Sequence, residues 1–352
     1  MNESPRPAGW RWVLLPAFIA IASRVFAIGA MVLIAALRHE PADQFTTWDG
    51  EWYLRIAGYG YHAFPIVTGH FDYAFFPAWP VLLRILGLGF LPLGAVALVA
   101  ANVLFVIGAV LVWRLVAERW DDTVATGAVL LLSFSPPAAS FSMAYSESLF
   151  LVAVAGSLMA RSMWLAAMFG ALAGATRLAG LAMVAAGGAV IGAARDHQRL
   201  LIAAAISALV GFGIWFLYVA VLTGHPLGYF DGSRSWMRFD VATTQWHAIE
   251  RAPVEYVARF AFVALVLLGS WMALRHDRQL GLFALATVGI AILSVTSVPV
   301  QSIARYAMPA FPAFAAISAR LGRRRTLLLV VVFAIAEAWF ASWTIGPGRV
   351  PP

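Results

Sequence analysis

Residues 12–36 read WVLLPAFIAIASRVFAIGAMVLIAA, with Arg24 as the one charge, and residues 46–53, a few positions further on, read TTWDGEWY. The first stretch exceeds the roughly 20 apolar residues that cross a bilayer as a helix. The second sets Asp49 and Glu51 among Trp48, Trp52 and Tyr53, just beyond the end of that span. A long apolar helix followed by an acidic, aromatic loop is the pattern of a membrane-embedded chain whose rare acids stand at the membrane surface.

Composition extends this reading to the whole chain. Of 352 residues, 62% are hydrophobic and 12% charged, and the mean hydropathy is +0.83. Soluble domains carry about 25% charged residues. The expectation is an all-α polytopic membrane protein, a single integral membrane domain over residues 1–352 with no soluble domain. About eleven transmembrane helices are read, at roughly 12–36, 93–114, 123–139, 147–160, 162–176, 178–194, 200–223, 257–275, 279–298, 306–320 and 326–345. The N-terminal MNESPRPAGWR shows no small-residue cleavage site after its apolar run, so the first span is expected to remain as an anchor.

All 24 basic residues are arginines, which points to a GC-rich bacterial genome and so to a bacterial plasma membrane. A pI near 10.2 does not signal nucleic acid here, because the arginines sit in short loops and form no patch interleaved with aromatics. With no cysteine, disulfides, thiolate metal sites and palmitoylation are excluded.

Loop charge sets the orientation. With the N-terminus in the cytoplasm, the cytoplasmic segments hold 13 arginines against six acids, and the outer segments hold ten of each. The run RLGRRR at 320–325 anchors the bias. Two long outer loops result, about 37–92 and 224–256. Asp49, the turn SPPAASFSMAYSES at 135–148, Arg177 and Arg305 all fall on the outer side. Transporters more often keep polar residues near the midplane, on broken helices. A one-sided cluster fits an enzyme working at the membrane surface.

In the first outer loop, Trp48, Trp52, Ile56 and Tyr59 recur at helical spacing with Tyr53 and Ala57 beside them, which predicts an interfacial helix. A second is predicted in 72–87, DYAFFPAWPVLLRILG, with Arg84 snorkelling to the surface. On spacing alone Asp49 and Glu51 have two readings. Acids in a first helical turn favour its positive end, and Thr46-x-x-Asp49 mimics a capping box; alternatively, one acid is the chemistry. Ser146 and Glu147 likewise suit a helix start or sugar binding. Trp236 and Trp246 suit interfacial anchoring or stacking on a sugar face. Arg24 is expected to pair with a neighbouring carbonyl or with Glu337. His62, His70, His225 and His247 lack metal-ligand spacing. Asp49-x-Glu51 without further clear oxygen donors makes a poor divalent-ion site, so no metal and no other cofactor is expected.

The segment WDGEWYLRIAGYGY…YAFFPAWP resembles the PIG-V-type mannosyltransferases, multi-pass C-type glycosyltransferases (GT-C) that use lipid-phosphate sugars. The resemblance continues, in the family's order, through YSESLF (145–150), TRLAG (176–180), TGHPLGYF (223–230) and ARYAMPAFPAF (304–314). It implies a GT-C-like fold and inverting transfer of mannose from a polyprenyl- or dolichyl-phosphate-mannose to an extracytoplasmic glycolipid, glycan or protein acceptor. C-type enzymes are similar in carrying an acid in the first outer loop, which makes Asp49 the expected base. The physics agrees: the phosphate leaves as a stable anion, and only the attacking hydroxyl needs a base. One acid suffices, unlike glycoside hydrolysis, which usually needs two. Charge developing on the phosphate calls for fixed cations, and the forked guanidinium grips two oxygens. Arg177 and Arg305, at outer span ends, are the candidates. Glu51, Tyr145, Glu147, Tyr306 and Trp236 are candidate substrate-binding residues. Three alternatives stay open: transfer of another lipid-phosphate sugar, a lipid or sugar flippase, and a non-catalytic assembly subunit.

Overall fold

A computed structural model of the chain describes residues 10–41, 43–65, 69–191, 195–236, 241–296 and 300–345, and among these there is no β-strand. The helices in chain order begin with α1 (Arg11–Leu37), then α2 (Asp49–Tyr59) and α3 (Ala78–Leu86) in the first long loop. Next come α4 (Leu93–Arg119), α5 (Asp122–Ser133), α6 (Glu147–Met159), α7 (Met163–Thr176) and α8 (Ala182–Gly187). α9 (Arg195–Thr223) leads to α10 (Gly228–Arg234) and α11 (Val241–Arg251) in the second long loop. The chain closes with α12 (Pro253–His276), α13 (Arg278–Ser294), α14 (Ile303–Ala307) and α15 (Phe311–Trp343).

Among the described residues five helices, α1, α4, α9, α12 and α15, are long and apolar enough to cross a membrane. The expected spans at 123–139, 147–160, 162–176, 178–194 and 279–298 overlap shorter apolar helices, with 192–194 and 297–298 outside the described residues. α15 is two arms joined at Gly322, whose φ of 71° and ψ of 168° break the helix inside RLGRRR. A positive φ costs glycine nothing sterically, and the arms correspond to the expected spans at 306–320 and 326–345.

α6 is short because it is the centre of the bundle. Every residue from Glu147 to Leu158 is buried, and α4 and α7 flank it. α7 and α9 approach closely through small residues: a Cβ on Gly174 would lie 2.0 Å from the Ala208 carbonyl oxygen, and one on Gly211 would lie 2.2 Å from that of Ala171. Such packing is how helices associate where lipid removes the hydrophobic drive. It fixes the end of α7, where Arg177 follows.

The ends of the bundle sort as loop charge predicts. At one end Arg38 Nη1 donates to the Ile345 carbonyl at 2.9 Å, Trp79 Nε1 to the Ala144 carbonyl at 3.0 Å, and Arg177 meets Glu147. At the other, Arg119 pairs with Asp277 and Arg161 with Glu118 at 2.9 Å. Between them, Arg24 finds both expected kinds of partner. It donates to the carbonyls of Ala138 at 2.6 Å and Ser133 at 2.7 Å, and lies 3.6 Å from Glu337.

The first loop differs from its expected form in two ways. α2 buries Trp52, Tyr53, Ile56 and Ala57 while Tyr59, in its last turn, is 81% exposed. The stripe is therefore rotated toward the bundle rather than laid flat on it. α3 starts later than predicted and buries Trp79 and Leu83 completely. Arg84 is exposed, and its Nη2 donates to the Gly58 carbonyl at the end of α2, at 3.1 Å.

Candidate active site

Asp49 is presented by a strained turn. The Gly50 N–H donates to the Thr47 carbonyl at 3.1 Å, closing a turn in which Trp48 takes φ 58° and ψ −126°. That is the first central position of a type II′ turn, normally held by glycine, and a bulky residue there costs on the order of 1–3 kcal/mol. The next residues dock α2 onto the turn before α6. A Cβ on Gly50 would come within 3.1 Å of the Ala144 Cβ, and the Ala144 N–H donates to the Phe45 carbonyl at 2.8 Å.

Two capping readings fail in this geometry. The N-cap of α2 is Trp48 with no side-chain cap, and Thr46 Oγ1 instead donates to the Asp43 carbonyl at 3.3 Å. Ser146 precedes α6 without capping it; its Oγ meets Tyr53 Oη at 3.1 Å. Burial pushes the Tyr53 phenol well above its ordinary range, against the nearby Arg177, so this pair stays neutral and ties α2 to the start of α6.

Four charged residues converge there from four separate segments. Arg305, on α14, donates through Nη2 to Asp49 Oδ2 at 2.6 Å and to Ser302 Oγ at 3.2 Å. Its Nη1 lies 3.4 Å from Glu147 Oε1, an oxygen that Arg177 Nη1 also contacts. The guanidinium carbons of Arg177 and Arg305 stand 4.8 and 5.2 Å from the centre of the Tyr306 ring, and Arg305 lies 4.7 Å from that of Tyr145. Cations over aromatic faces are held without using up hydrogen-bond donors. Glu147 begins α6, so the helix dipole also favours its charge.

The contacts to Glu147 are charge contacts without hydrogen-bond geometry. Both oxygens of Glu147, together with Nε and Nη1 of Arg305, are buried with no hydrogen-bond partner. The cluster is thus balanced in charge while its strongest donors remain unspent, which suits an incoming oxyanion. Asp49 keeps 27% of its side chain exposed, against 1% for Arg305 and Glu147, so it is the acid that faces an incoming group.

In front of these charges lies a cleft of about 1140 Å³, open mouth included. Asp49, Tyr53, Arg177, Tyr306 and Trp236 line it, with Phe75, Leu178 and Ile290 on its apolar side. Trp236 reaches it from the second long loop, edge-on to Trp52 at 5.1 Å and stacked on His70 at 4.4 Å. Arg305, Tyr145 and Glu147 stand behind the wall rather than in it. Glu51 is a correction: its side chain is 66% exposed and pairs with Arg55 at 3.7 Å, one turn on, because two helical positions turn it away from Asp49. Trp246 is also remote, 60% exposed and bonded to Glu250 at 2.6 Å.

Asp49 and Glu51 point to different partners, Asp49 to Arg305 and Glu51 to Arg55. With Glu147 flanked by two arginines, the residues present fit an anion. Sequence reasoning missed the backbone strain at Trp48 and the Tyr53–Ser146 pair. It also missed Ser302 and Gln301, which line the cleft just before Arg305; their closeness to Arg305 in the chain was the available signal.

Residues 19–223 match the family model described as Mannosyltransferase (PIG-V). Comparison with curated proteins gives no match. Among solved structures the chain is similar to the oligosaccharyltransferase of Archaeoglobus fulgidus in several states. The complex with Zn and sulfate has a TM-score of 0.52 and 16% identity, covering 94% of this chain and 53% of that one. The complex with an inhibitory peptide and a dolichol-phosphate has a TM-score of 0.52 and 13% identity, covering 95% and 56%. The form tethered to an acceptor peptide containing the NVT sequon has a TM-score of 0.55 and 14% identity, covering 96% and 56%. At such identities the likeness is one of fold, GT-C-like and all-helical, and this chain spans just over half the length of those structures.

Proposed function

The chain belongs to the PIG-V mannosyltransferase family, and from that premise we propose that it transfers mannose from a polyprenyl-phosphate-mannose donor to a glycolipid, glycan or protein acceptor. The observation that carries this reading is the convergence of Asp49 with Arg305, Glu147 and Arg177 at the back of one cleft. The acceptor hydroxyl attacks the anomeric carbon from the face opposite the phosphate, so the configuration inverts. As the new C–O bond forms, the hydroxyl proton passes to Asp49, and the C–O bond to the phosphate breaks with its electron pair leaving on the phosphate.

Each group has a task that its position supports. Arg305 holds one oxygen of Asp49 while retaining unused N–H groups for the departing phosphate, and Arg177 supplies the second guanidinium. Glu147 keeps the two cations adjacent; without a counter-charge they would repel. Trp236 and the second loop form the acceptor side. A dolichol-phosphate bound to one structural neighbour is in keeping with a lipid-phosphate donor. The cleft faces away from the cytoplasm in this reading, because the charged loops bias the opposite end of the bundle inward. The test is transfer by the detergent-purified chain offered a panel of polyprenyl-phosphate sugars and a glycolipid acceptor. Mannose transfer is the expected result; turnover with none of them would reject the reading.

A further inference from the structure

Behind the cleft lies a second buried ion pair that the transfer chemistry leaves unused. Glu255 and Arg259, one turn apart at the start of α12, have fully buried side chains. Arg259 Nε donates to Glu255 Oε1 at 2.7 Å, and its Nη2 reaches the same oxygen. The remaining Nη1 donates to the backbone carbonyl of Gln301. Phe340 of α15 lies under the guanidinium at 5.0 Å. Tyr256 Oη adds a bond to the Gln301 side chain at 3.4 Å.

Gln301 is the start of the segment that delivers Arg305. Ser302 follows it and accepts a hydrogen bond from Arg305, and α14 begins at Ile303. The second long loop grips the same stretch: Gln245 Nε2 donates to the Val295 carbonyl at 2.6 Å, and Gln245 Oε1 accepts from the Val300 N–H at 2.7 Å. Arg305 itself has one strong hydrogen bond, to Asp49. Where its guanidinium stands therefore depends on where this backbone is held.

Stability alone does not explain the pair. Burying two charges carries a large desolvation cost, and apolar residues of similar volume are often as stable or more so. What a guanidinium adds is a rigid fork that can hold a carboxylate and a carbonyl at once. We propose that Arg259, held by Glu255, is a positioning residue of the transfer reaction: it fixes the Gln301 carbonyl and so the placement of Arg305 against Asp49 and the donor phosphate. This rests on the role given to Arg305 above.

The experiment is a double-mutant cycle on the detergent-purified full chain, with polyprenyl-phosphate-mannose as donor. Glu255→Leu with Arg259→Met removes both charges and keeps the volume. A misplacement of about 1 Å can cost up to roughly 10²-fold, so kcat/KM should fall by roughly 10–100-fold with the melting temperature little changed. In an Arg305→Lys background the same pair of changes should cost no more than about 2-fold, because residues acting through one another are not additive. Arg259→Lys, which keeps the charge but cannot bridge both partners, carries the same cycle if the apolar pair does not fold. Wild-type activity in the variant overturns the proposal, and so does an equal loss in both backgrounds, which a purely structural role would give. A wild-type chain inactive with every polyprenyl-phosphate sugar removes the premise, and the proposal falls with it.

Discussion

Asp49→Asn separates chemistry from scaffolding because the two effects differ in size. Asparagine keeps the volume and still offers Arg305 Nη2 an oxygen in place of Oδ2, now 2.6 Å away. The scaffolding losses are small. Trp48 is the N-cap of α2 and no side chain caps it, so Asp49 contributes a first-turn dipole interaction of about 0.3–1 kcal/mol. Converting a charged acceptor to a neutral one costs about 1 kcal/mol more. At 1.36 kcal/mol per tenfold, these losses, even if fully expressed in the rate, amount to roughly 10–30-fold. Removing the base costs about 10²–10⁴-fold. The assay is the initial rate of mannose transfer at saturating donor, with polyprenyl phosphate binding and thermal unfolding measured on the same preparation. Glu51→Gln is the control: an exposed pair with Arg55 is worth about 0–1 kcal/mol, so turnover should stay within about 2-fold. Asp49→Asn turnover within tenfold of wild type, in a folded protein that binds lipid, would refute Asp49 as the base.

Arg177→Ala and Arg305→Ala should each lower kcat/KM by roughly 10–100-fold, from charge-assisted bonds of about 1.5–3 kcal/mol, with partial rescue by lysine; two fully active alanine variants would remove both residues from the donor clamp. Single cysteines are cleanly introduced into a chain that has none, and an impermeant thiol reagent should label positions 39–45 and 224–236 in intact cells but not 323; labelling at 323 would invert the topology. Burial raises the Asp72 carboxyl above its usual 3.8, outweighing the hydrogen bonds from His62, so its stabilising contribution is full below 3.8 and is lost as pH rises through the folded-state value. At neutral pH Asp72→Asn should therefore unfold no earlier than wild type, whereas Asp72→Ala, which strands the His62 N–H, should cost about 1–3 kcal/mol; the reverse order in thermal unfolding would contradict this. Arg24→Met should destabilise the protein in detergent more than Glu337→Gln, because Glu337→Gln leaves Arg24 its carbonyl partners, whereas Arg24→Met takes from the Ala138 and Ser133 carbonyls the donors that reach them, at about 1–3 kcal/mol each; the reverse order in thermal unfolding would contradict this.

The parts of the site that were legible in the sequence are those governed by bulk rules. Arginine bias in short loops gathered Asp49, Arg177 and Arg305 at one end before any contact was known, and the side chains now meet there. Arg24 was legible for a related reason: a charge inside a span must find a partner, and Ala138, Ser133 and Glu337 are those partners. What was hidden depends on direction rather than depth. Helical spacing gave α2 its apolar residues but not the rotation that buries Tyr53 and exposes Tyr59. Ser146 before a helix reads as a cap, yet its hydroxyl is taken by Tyr53, from a segment 93 residues away. Glu255 and Arg259 drew no reading in sequence, because an i,i+4 acid–arginine spacing is ordinary and periodicity gives no sign that both are buried or that a carbonyl 42 residues on is their object. α6 is apolar all round, so no moment could reveal that it is central.

Comparing two of the buried arginine–glutamate systems in the bundle allows structure and function to be told apart without knowing either in advance. Arg24 spends its donors: Nη1, Nη2 and Nε each reach a protein oxygen, although neither oxygen of its partner Glu337 has a hydrogen-bond partner. Arg305 is as deeply buried, but its Nε and Nη1 have no hydrogen-bond partner, and neither oxygen of the adjacent Glu147 has one. Leaving buried donors unsatisfied costs roughly 1–3 kcal/mol each, more where charged, and a folded chain tolerates few of them. In a site needed only for folding, a carbonyl or hydroxyl of the kind that serves Arg24 would remove that cost. Next to Asp49, one layer behind the wall of an open cleft, the same unspent donors are what a departing phosphate requires, since donors already engaged by the protein would have to be broken free in the transition state. The energetic flaw and the catalytic provision are the same set of atoms.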